Sequence, residues 1–346
     1  MRFLKNLILF LLLLVVLLIG AAFALPSTSH VERSITINRP VSQVFTVLDS
    51  YRRFNEWSPW AAKDAHAKYT VSGPVSGVGA KQAWVGDPKT VGSGSQAIVA
   101  TEPNRSISTA LTFGEDMQAR ARFVLTADNE TSTKVTWTFE TDAPLAFDAQ
   151  FPRNLIGRYM GLMMDKMIGS DYEQGLTKLK ALLEDMPPAD VSGVQGEEAE
   201  RSAQKIYFIA GQSATDSDSA KNTLTDVYRQ LGAFLSANGI AMTGAPLTIT
   251  DSYEPGDWKF DAAVPVDRND VPGDDTVKSG ETYAGKAVHF IHVGPYATIG
   301  DTIRKAYAWL AVLGYKPNGR LISEYITDPG NTPAEQLKTR IVIPVQ

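Results

Sequence analysis

The sequence predicts an α+β protein with two domains that follow one apolar N-terminal helix. Three observations predict this layout. Residues 7–25 form an uninterrupted uncharged run. The next part of the chain has the pattern of a strand, a helix pair, several short strands and a long helix, which is an α+β order. The last part carries the order strand, helix, strand, strand twice, as expected for an internal repeat.

The apolar run follows Arg2 and Lys5 and is long enough to cross a membrane. At about 1.5 Å per residue it matches a hydrocarbon core of roughly 30 Å. A cleaved signal peptide is the alternative, because residues 22–24 have a small-x-small pattern, although signal peptides usually have shorter apolar cores. We therefore assign residues 1–26 to a membrane anchor or signal segment. Because basic residues precede the run, we expect a single-pass protein of the bacterial inner membrane with a cytoplasmic N-terminus and both domains periplasmic or otherwise extracytoplasmic.

The composition limits the classes of function. Of the 346 residues, 44% are hydrophobic and 21% are charged, which is typical of folded globular domains. The net charge is -5 and the sequence has no Lys/Arg cluster, so we expect no nucleic-acid partner. The chain has no cysteine, which excludes thiol chemistry, disulfides and cysteine-ligated zinc.

The first domain is predicted over residues 27–183. His30–Asn38 alternates between apolar and polar residues and indicates a strand. Pro40 then begins a helix, because proline favours the first helical position. Turn residues separate seven further predicted strands: Ala67–Ser72, the glycine-spaced Gly73–Gly79, Lys81–Val85, Gly94–Thr101, Arg105–Phe113, Gln118–Thr126 and Lys134–Thr141. An apolar stripe at helical spacing predicts a long helix over Ile156–Leu183.

This part of the chain resembles the START-like helix-grip superfamily, also called SRPBCC or polyketide cyclase/dehydrase. The resemblance covers about residues 31–183, and the segments that carry it are Val31–Asn38, Phe54–Trp60, Gly77–Gly79, Gly92–Gln96 and Gly157–Tyr159. It implies a curved sheet around a long helix, with a deep apolar cavity for a lipid or polyketide-like ligand and no shared catalytic set. Candidate wall residues are Trp57, Trp84 and Met163. The alternative is that these side chains form an ordinary packed core.

Residues 184–204 differ sharply in composition from the segments on either side. They contain two adjacent prolines, two glycines and an acidic run, and no apolar periodicity continues through them. This composition predicts a flexible and exposed linker between the two domains.

The second domain is predicted over residues 205–346 and contains the repeat. The first copy consists of strand Lys205–Ala210, helix Ser219–Asn238, and strands Leu247–Tyr253 and Trp258–Val266. The second copy consists of strand Lys286–Val293, helix Thr298–Leu313, and strands Leu321–Thr327 and Thr339–Val345. Helix ends and proline-containing turns recur about 75 residues apart, which predicts a pseudo-twofold domain with a cleft where its halves meet.

The strand over Leu321–Thr327 contains the residue that stands out most, Glu324. Alternation places Glu324 with Ile322 and Ile326 on one face. A carboxylate on an apolar face is costly if that face is buried, so Glu324 is a candidate functional residue. The alternative is an edge strand whose Glu324 face meets water. The repeat places Glu324 and Tyr253 at equivalent ends of the two copies.

Residues 205–346 resemble the GyrI-like small-molecule-binding domain, also known as the effector-binding domain of AraC-type regulators. The segments that carry the resemblance are His292–Tyr296, Trp309-Leu310, Glu324–Pro329 and Ile343–Val345. The resemblance implies a ligand site with Glu324 as its polar anchor and Tyr296, Tyr253 and Trp258 as candidate walls. A carboxylate that faces aromatic rings suits a lipophilic cation through charge pairing and cation–π contact. The sequence shows no attached helix-turn-helix. We therefore do not infer from the resemblance that this protein is a regulator.

The sequence contains no established catalytic or metal-binding motif. His289 and His292 are three residues apart on a predicted strand, so they point to opposite faces and cannot chelate one metal ion. We expect no metal and no cofactor. The function predicted first is the binding of hydrophobic or cationic small molecules or lipids. Two alternatives remain open, a hydrolase or cyclase with Glu324 as general base, and a structural envelope protein with closed cores.

Overall fold

The computed structural model describes residues 2–114, 117–142 and 151–346. The chain forms two compact units, Met1–Ala189 and Asp190–Gln346. Each unit contains one antiparallel sheet, the first of seven strands and the second of eight. The predicted α+β class is therefore confirmed.

The first helix, α1 (Arg2–Ala24), is apolar along nearly its whole length. Its leucine and valine side chains are mostly exposed, whereas Ala22 is buried. By length and composition this helix can cross a membrane, and a signal sequence would have the same properties.

The first unit places a single sheet against a long C-terminal helix. Its strands are β1 (Thr28–Ile37), β2 (Lys68–Ser72), β3 (Lys81–Val85), β4 (Ser93–Glu102), β5 (Ser106–Phe113), β6 (Met117–Asn129) and β7 (Ser132–Asp142). Its other helices are α2 (Val41–Leu48), α3 (Phe54–Trp57), α4 (Phe151–Gly161) and α5 (Met164–Asp185). The strand order is β1-β7-β6-β5-β4-β3-β2, so the first strand pairs with the last. Helix α5 packs against β1 and α3.

Aromatic rings fill the space between the sheet of the first unit and α5. Trp137 of β7 stacks on Tyr172 of α5 with ring centroids 3.7 Å apart. Trp57 of α3 meets the Trp137 ring edge-on at 5.5 Å, and Phe123 of β6 also stacks on Trp137 at 5.0 Å. Large buried rings of this kind dominate the energetics of a core. These four rings form an aromatic core between the sheet and α5.

The second unit contains the repeated order of elements. Its strands are β8 (Glu197–Arg201), β9 (Lys205–Ser213), β10 (Leu247–Glu254), β11 (Asp257–Pro265), β12 (Lys278–Glu281), β13 (Gly285–Val293), β14 (Ile322–Tyr325) and β15 (Lys338–Pro344). Its α-helices are α6 (Ser217–Ala237) and α7 (Ile299–Val312). The sheet order is β12-β9-β11-β10-β14-β15-β13-β8. The two copies of the repeat meet where β10 pairs with β14, so the strand of Glu324 is an interior strand and not an edge strand.

Strand β8 lies within the segment that the sequence predicted to be a flexible linker. It pairs with β13, with Glu197 opposite His289 and Arg201 opposite Gly285. Gly196, just before β8, is buried against Val288 and Trp309. The segment is ordered because β13 offers an unpaired edge to it. A short polar strand on such an edge has too few apolar residues to be recognised from composition.

The sheet of the second unit has two different faces. On the helix face, Tyr207, Phe260 and other side chains pack against α6, and Phe290 packs on Trp309 of α7. On the opposite face, here called the far face, the apolar cluster contains Ile206, Leu247, Ile249, Ala263, Ala287, Ile322 and Val342. Because side chains alternate along a strand, Glu324 belongs to the far face and Tyr325 to the helix face.

Candidate functional site

Two arginines contact Glu324 on the far face. Its Oε1 accepts a hydrogen bond from Nη2 of Arg201 at 2.6 Å, and its Oε2 accepts one from Nη1 of Arg340 at 2.8 Å. Arg340 lies directly opposite Glu324 on β15. Arg201 lies on β8, which β15 and β13 separate from β14. In a flat sheet three strand spacings amount to roughly 14 Å, so the far face must curve inward for the two side chains to meet.

The three charges form a buried cluster. The side chains of Arg201 and Glu324 are each 10% exposed, and that of Arg340 is 40% exposed. Two guanidinium groups against one carboxylate leave an excess of one positive charge. Nε of Arg201 is buried and has no hydrogen-bond partner among the described residues. Guanidinium groups present several donors in a fixed plane, so such a cluster favours an additional acceptor.

A cavity of about 630 Å³ opens beside this cluster on the far face. Its lining residues are Gly193, Gln195, Glu197, His289, Ile291 and Arg340. The strand segments β8, β13 and β15 supply four of them, and the chain before β8 supplies the other two. The volume lies within the range of about 300–1,000 Å³ that is usual for small-molecule sites.

His289 lines the cavity and has an unused hydrogen-bonding atom. Its Nε2 is buried and has no hydrogen-bond partner among the residues that the structure describes. Burial lowers the pKa of His289, and the charges of Arg201 and Arg340 lower it further, while Glu324 and Glu197 oppose them. The imidazole is therefore neutral near neutral pH. Together His289 and Arg340 present a neutral hydrogen-bonding group and a cation to the same space.

The predicted aromatic wall residues lie on the helix face. The Tyr296 ring meets the Tyr325 ring edge-on at 5.4 Å. Tyr253 lies opposite Trp258 in the sheet, with ring centroids 6.5 Å apart. Trp258 Nε1 donates to Thr250 Oγ1 at 3.3 Å.

Two tyrosine hydroxyls on the helix face bind to β10. The Tyr325 hydroxyl lies 3.1 Å from Thr248 Oγ1, and the Tyr228 hydroxyl of α6 donates to the Leu247 carbonyl at 2.8 Å. Burial raises the pKa of Tyr325 to about 12, so its hydroxyl remains protonated. This arrangement corrects the expectation that Glu324 faces Tyr296, Tyr253 and Trp258. Strand alternation turns Glu324 away from the side of the sheet that carries these rings.

The residues proposed for the first unit, Trp57, Trp84 and Met163, lie on different elements of that unit. Trp57 is buried in the aromatic core. Trp84 lies on β3, where its Nε1 donates to the Val91 carbonyl at 3.2 Å and its ring contacts Phe113. Met163 lies in the turn between α4 and α5 and is 53% exposed. The predicted long helix is interrupted at this turn, which places Met163 at the surface.

Sequence reasoning missed Arg201, His289 and Arg340 as parts of a site. Arg340 was recoverable, because pairing the predicted strands 321–327 and 339–345 as a hairpin places a cation near Glu324. Arg201 was not recoverable, because its strand lies in a polar segment without periodicity. Among the described residues, no group of three or more histidine, aspartate or glutamate side chains is placed to hold a metal ion.

Comparisons with known proteins agree with the domain order predicted from the sequence. Residues 28–184 match the family described as polyketide cyclase/dehydrase and lipid transport, and residues 200–346 match the GyrI-like small molecule binding domain. No curated protein sequence matches the chain.

Solved structures with similar folds correspond to one part of the chain each. The C-terminal domain of EcmrR is 18% identical, covers 44% of this chain and 98% of its own, and has a TM-score of 0.40. A hydrolase from Listeria innocua is 17% identical, with coverages of 44% and 92% and a TM-score of 0.34. The Zhui aromatase/cyclase from Streptomyces sp. R1128 is 13% identical, with coverages of 45% and 94% and a TM-score of 0.35.

Proposed function

Residues 28–184 are a polyketide cyclase/dehydrase and lipid transport domain and residues 200–346 are a GyrI-like small molecule binding domain, and from this premise we propose that the protein is a membrane-anchored, extracytoplasmic binding protein for small molecules. The observation that carries the proposal is the cavity of about 630 Å³ on the far face of the second unit. Its size suits a small ligand, and its lining includes the cationic side chain of Arg340 and the side chain of His289.

The ligand class follows from the hydrogen-bond donors around the cavity. Net charge does not decide it, because the carboxylates of Glu324 and Glu197 balance Arg201 and Arg340. Arg340 and His289 offer donors to a carboxylate or a similar anionic group, and Ile291 offers an apolar wall. The proposed ligand is therefore an amphipathic small molecule with an anionic group. This replaces the cationic ligand that the sequence led us to expect.

Two further parts of the proposal have separate support. The length and apolar composition of α1 support the membrane anchor, and the basic residues before its apolar run support an extracytoplasmic position for both units. The strand order supports a pseudo-twofold relation within the second unit, because β9-β11-β10 in one half of the sheet corresponds to β13-β15-β14 in the other half.

Binding is favoured over hydrolysis by the surroundings of Glu324. A general base needs a carboxylate oxygen within reach of the proton that it removes. Both carboxylate oxygens of Glu324 already accept a hydrogen bond from an arginine. Glu324 is therefore better placed to hold Arg201 and Arg340 in position than to activate water.

The proposal is tested with two fluorescent or labelled probes, the aromatic anion anilinonaphthalene sulfonate and the cation tetraphenylphosphonium. We expect the full chain in detergent to bind the anion and not the cation. Arg340→Gln and His289→Ala should each weaken binding of the anion by about tenfold, the usual size of one charge-assisted hydrogen bond. Arg320→Gln is the matched control, because Arg320 is similarly exposed at 46% and is paired with Asp261.

Two outcomes would contradict the proposal. Tighter binding of tetraphenylphosphonium than of anilinonaphthalene sulfonate would show that the ligand is cationic. An equal loss in Arg320→Gln and Arg340→Gln would show that the anion does not bind at the cavity of the far face.

A further inference from the structure

An apolar surface at the junction of α4 and α5 has no partner among the described residues. Its side chains are 41–63% exposed, and we call them the apolar stripe: Ile156, Met160, Leu162, Met163 and Met167. Ile156 and Met160 lie one turn apart on α4, Leu162 and Met163 lie in the turn that follows, and Met167 lies in the first turn of α5. Exposed apolar patches of this kind mark interaction surfaces.

The stripe cannot turn inward, because the opposite side of the same helices is tightly seated on β1. A Cβ atom on Gly161 would lie 2.3 Å from Ser29 Oγ, and one on Gly169 would lie 2.2 Å from Arg33 Nη2. Arg33 also holds Asp165 of α5 by a hydrogen bond of 2.8 Å from its Nη1. These contacts fix which side of α4 and α5 faces away from the sheet.

Helix α4 is also attached to the last turns of α1. Nη1 of Arg158 donates to the carbonyls of Ala22 at 3.1 Å and Leu25 at 2.7 Å. The Tyr159 hydroxyl donates to the Leu18 carbonyl at 2.5 Å. The two contacting residues, Arg158 and Tyr159, are neighbours on α4, so they place one point of α4 beside the C-terminal end of α1. Helix α4 therefore contacts the end of the helix that we propose to cross the membrane.

We propose that the apolar stripe lies on the lipid of the membrane, in the interfacial layer next to the point where α1 leaves it. Amphipathic helices at membrane surfaces bury their apolar side about 5–10 Å deep in the boundary between headgroups and acyl chains. Helix α4 contacts the C-terminal end of α1, where a membrane-spanning helix passes through that boundary. The lipid bilayer is the occupant because it is the medium that surrounds α1 at the level of Tyr159. This inference rests on the membrane anchor in the proposed function.

The chain offers a direct test because it contains no cysteine. Full-length variants with one cysteine each are labelled with a small fluorophore and placed in phosphatidylcholine nanodiscs that carry nitroxide-labelled lipid. Met163→Cys reports on the stripe, and Leu14→Cys reports on insertion of α1. Val99→Cys on β4 is the control, because Val99 is also 53% exposed. Four strand spacings, roughly 19 Å, separate β4 from β1.

We expect the labels at Leu14 and Met163 to lose most of their emission to the lipid quencher, and the label at Val99 to keep most of it. Quenching at Leu14 with none at Met163 would contradict the proposal that the apolar stripe lies on lipid, and would still support the membrane anchor. Equal quenching at Met163 and Val99 would also contradict that proposal. A Met163 label that is shielded from water but not quenched would indicate contact between copies instead. No quenching at Leu14 would remove the anchor and this inference together.

Discussion

Arg201 and Glu324 are joined by a hydrogen bond of 2.6 Å, although two other strands separate their strands in the sheet. Both side chains are almost completely buried. The bond therefore ties the chain before the repeated elements to the strand at the centre of the second unit. Strand β8 belongs to the second unit through this bond and through its pairing with β13, although its composition is that of a linker.

The first prediction concerns the charge of Glu324. In Glu324→Gln the amide nitrogen cannot accept a hydrogen bond, so Arg201 and Arg340 cannot both keep their partner. Loss of one member of a buried ion pair costs about 3–5 kcal/mol, and the partial exposure of Arg340 favours the lower end of this range. We expect urea unfolding of the second unit in the full chain to show a loss of about 3 kcal/mol.

Glu254→Gln is the matched control for this change. Glu254 is exposed near the end of β10, in the same sheet. Its substitution should change the free energy of unfolding by less than about 0.5 kcal/mol. Equal effects of the two substitutions would show that the buried cluster does not stabilise the fold.

The second prediction concerns the segment before β8. A Cβ atom on Gly196 would lie 2.7 Å from Val288 and 2.8 Å from Trp309. Gly196→Ala should therefore lower the free energy of unfolding by about 1–3 kcal/mol through overpacking. In Gly232→Ala, within α6, the added Cβ meets nothing, so this control should raise stability by about 0.5–1 kcal/mol. A flexible segment would instead tolerate Gly196→Ala without any change in melting temperature.

The third prediction is a dependence of stability on pH that arises from His289. Burial and two arginines hold its pKa below the ordinary value of 6.5. As the pH falls below about 6.5, His289 becomes protonated in the unfolded chain but stays neutral in the folded chain. The free energy of unfolding therefore decreases. His289→Gln should flatten this part of the curve in urea titrations, whereas His66→Gln, at an exposed position, should leave it unchanged. A slope that survives in His289→Gln would assign the effect to another group.

Periodicity predicted most of the elements because it is a local property of the chain. The alternation over residues 30–38 corresponds to β1, and the strand predicted over residues 321–327 contains β14. The same alternation already places Glu324 and Tyr325 on opposite faces. The sequence does not show on which face of the sheet the helices pack. We therefore expected Glu324 to lie beside aromatic rings that are on the other face.

The contacts that build the candidate site are non-local, and this is why they were missed. The pair Arg201–Glu324 depends on curvature of the whole sheet and on the open edge of β13. The exposure of Met163 depends on a short break between α4 and α5, where an apolar stripe at helical spacing predicts one continuous helix. A pattern of apolar residues does not distinguish a side that faces a protein core from a side that faces lipid.

The last prediction concerns Asp49 in the first unit. Asp49 follows the last turn of α2, and its Oδ1 is buried without a hydrogen-bond partner among the described residues. Burial raises the pKa of Asp49 from the ordinary 3.8 to about 7, and the N–H of Gly77 opposes this shift. The negative end of the α2 dipole also disfavours a carboxylate at this position.

The sign of the effect follows from the raised pKa. Below about pH 3.8 both states hold the proton, whereas between that value and about 7 only the folded state does. Stability is therefore complete in acid and decreases as the pH rises toward about 7, by up to about 4 kcal/mol. Asp49→Asn keeps the shape of the side chain and removes the charge. It should raise the melting temperature of the first unit at about pH 8 and leave it nearly unchanged at about pH 4. Asp128→Asn, at an exposed position on β6, is the control. If Asp49→Asn raised the melting temperature equally at both pH values, the cause would be packing and not the buried charge.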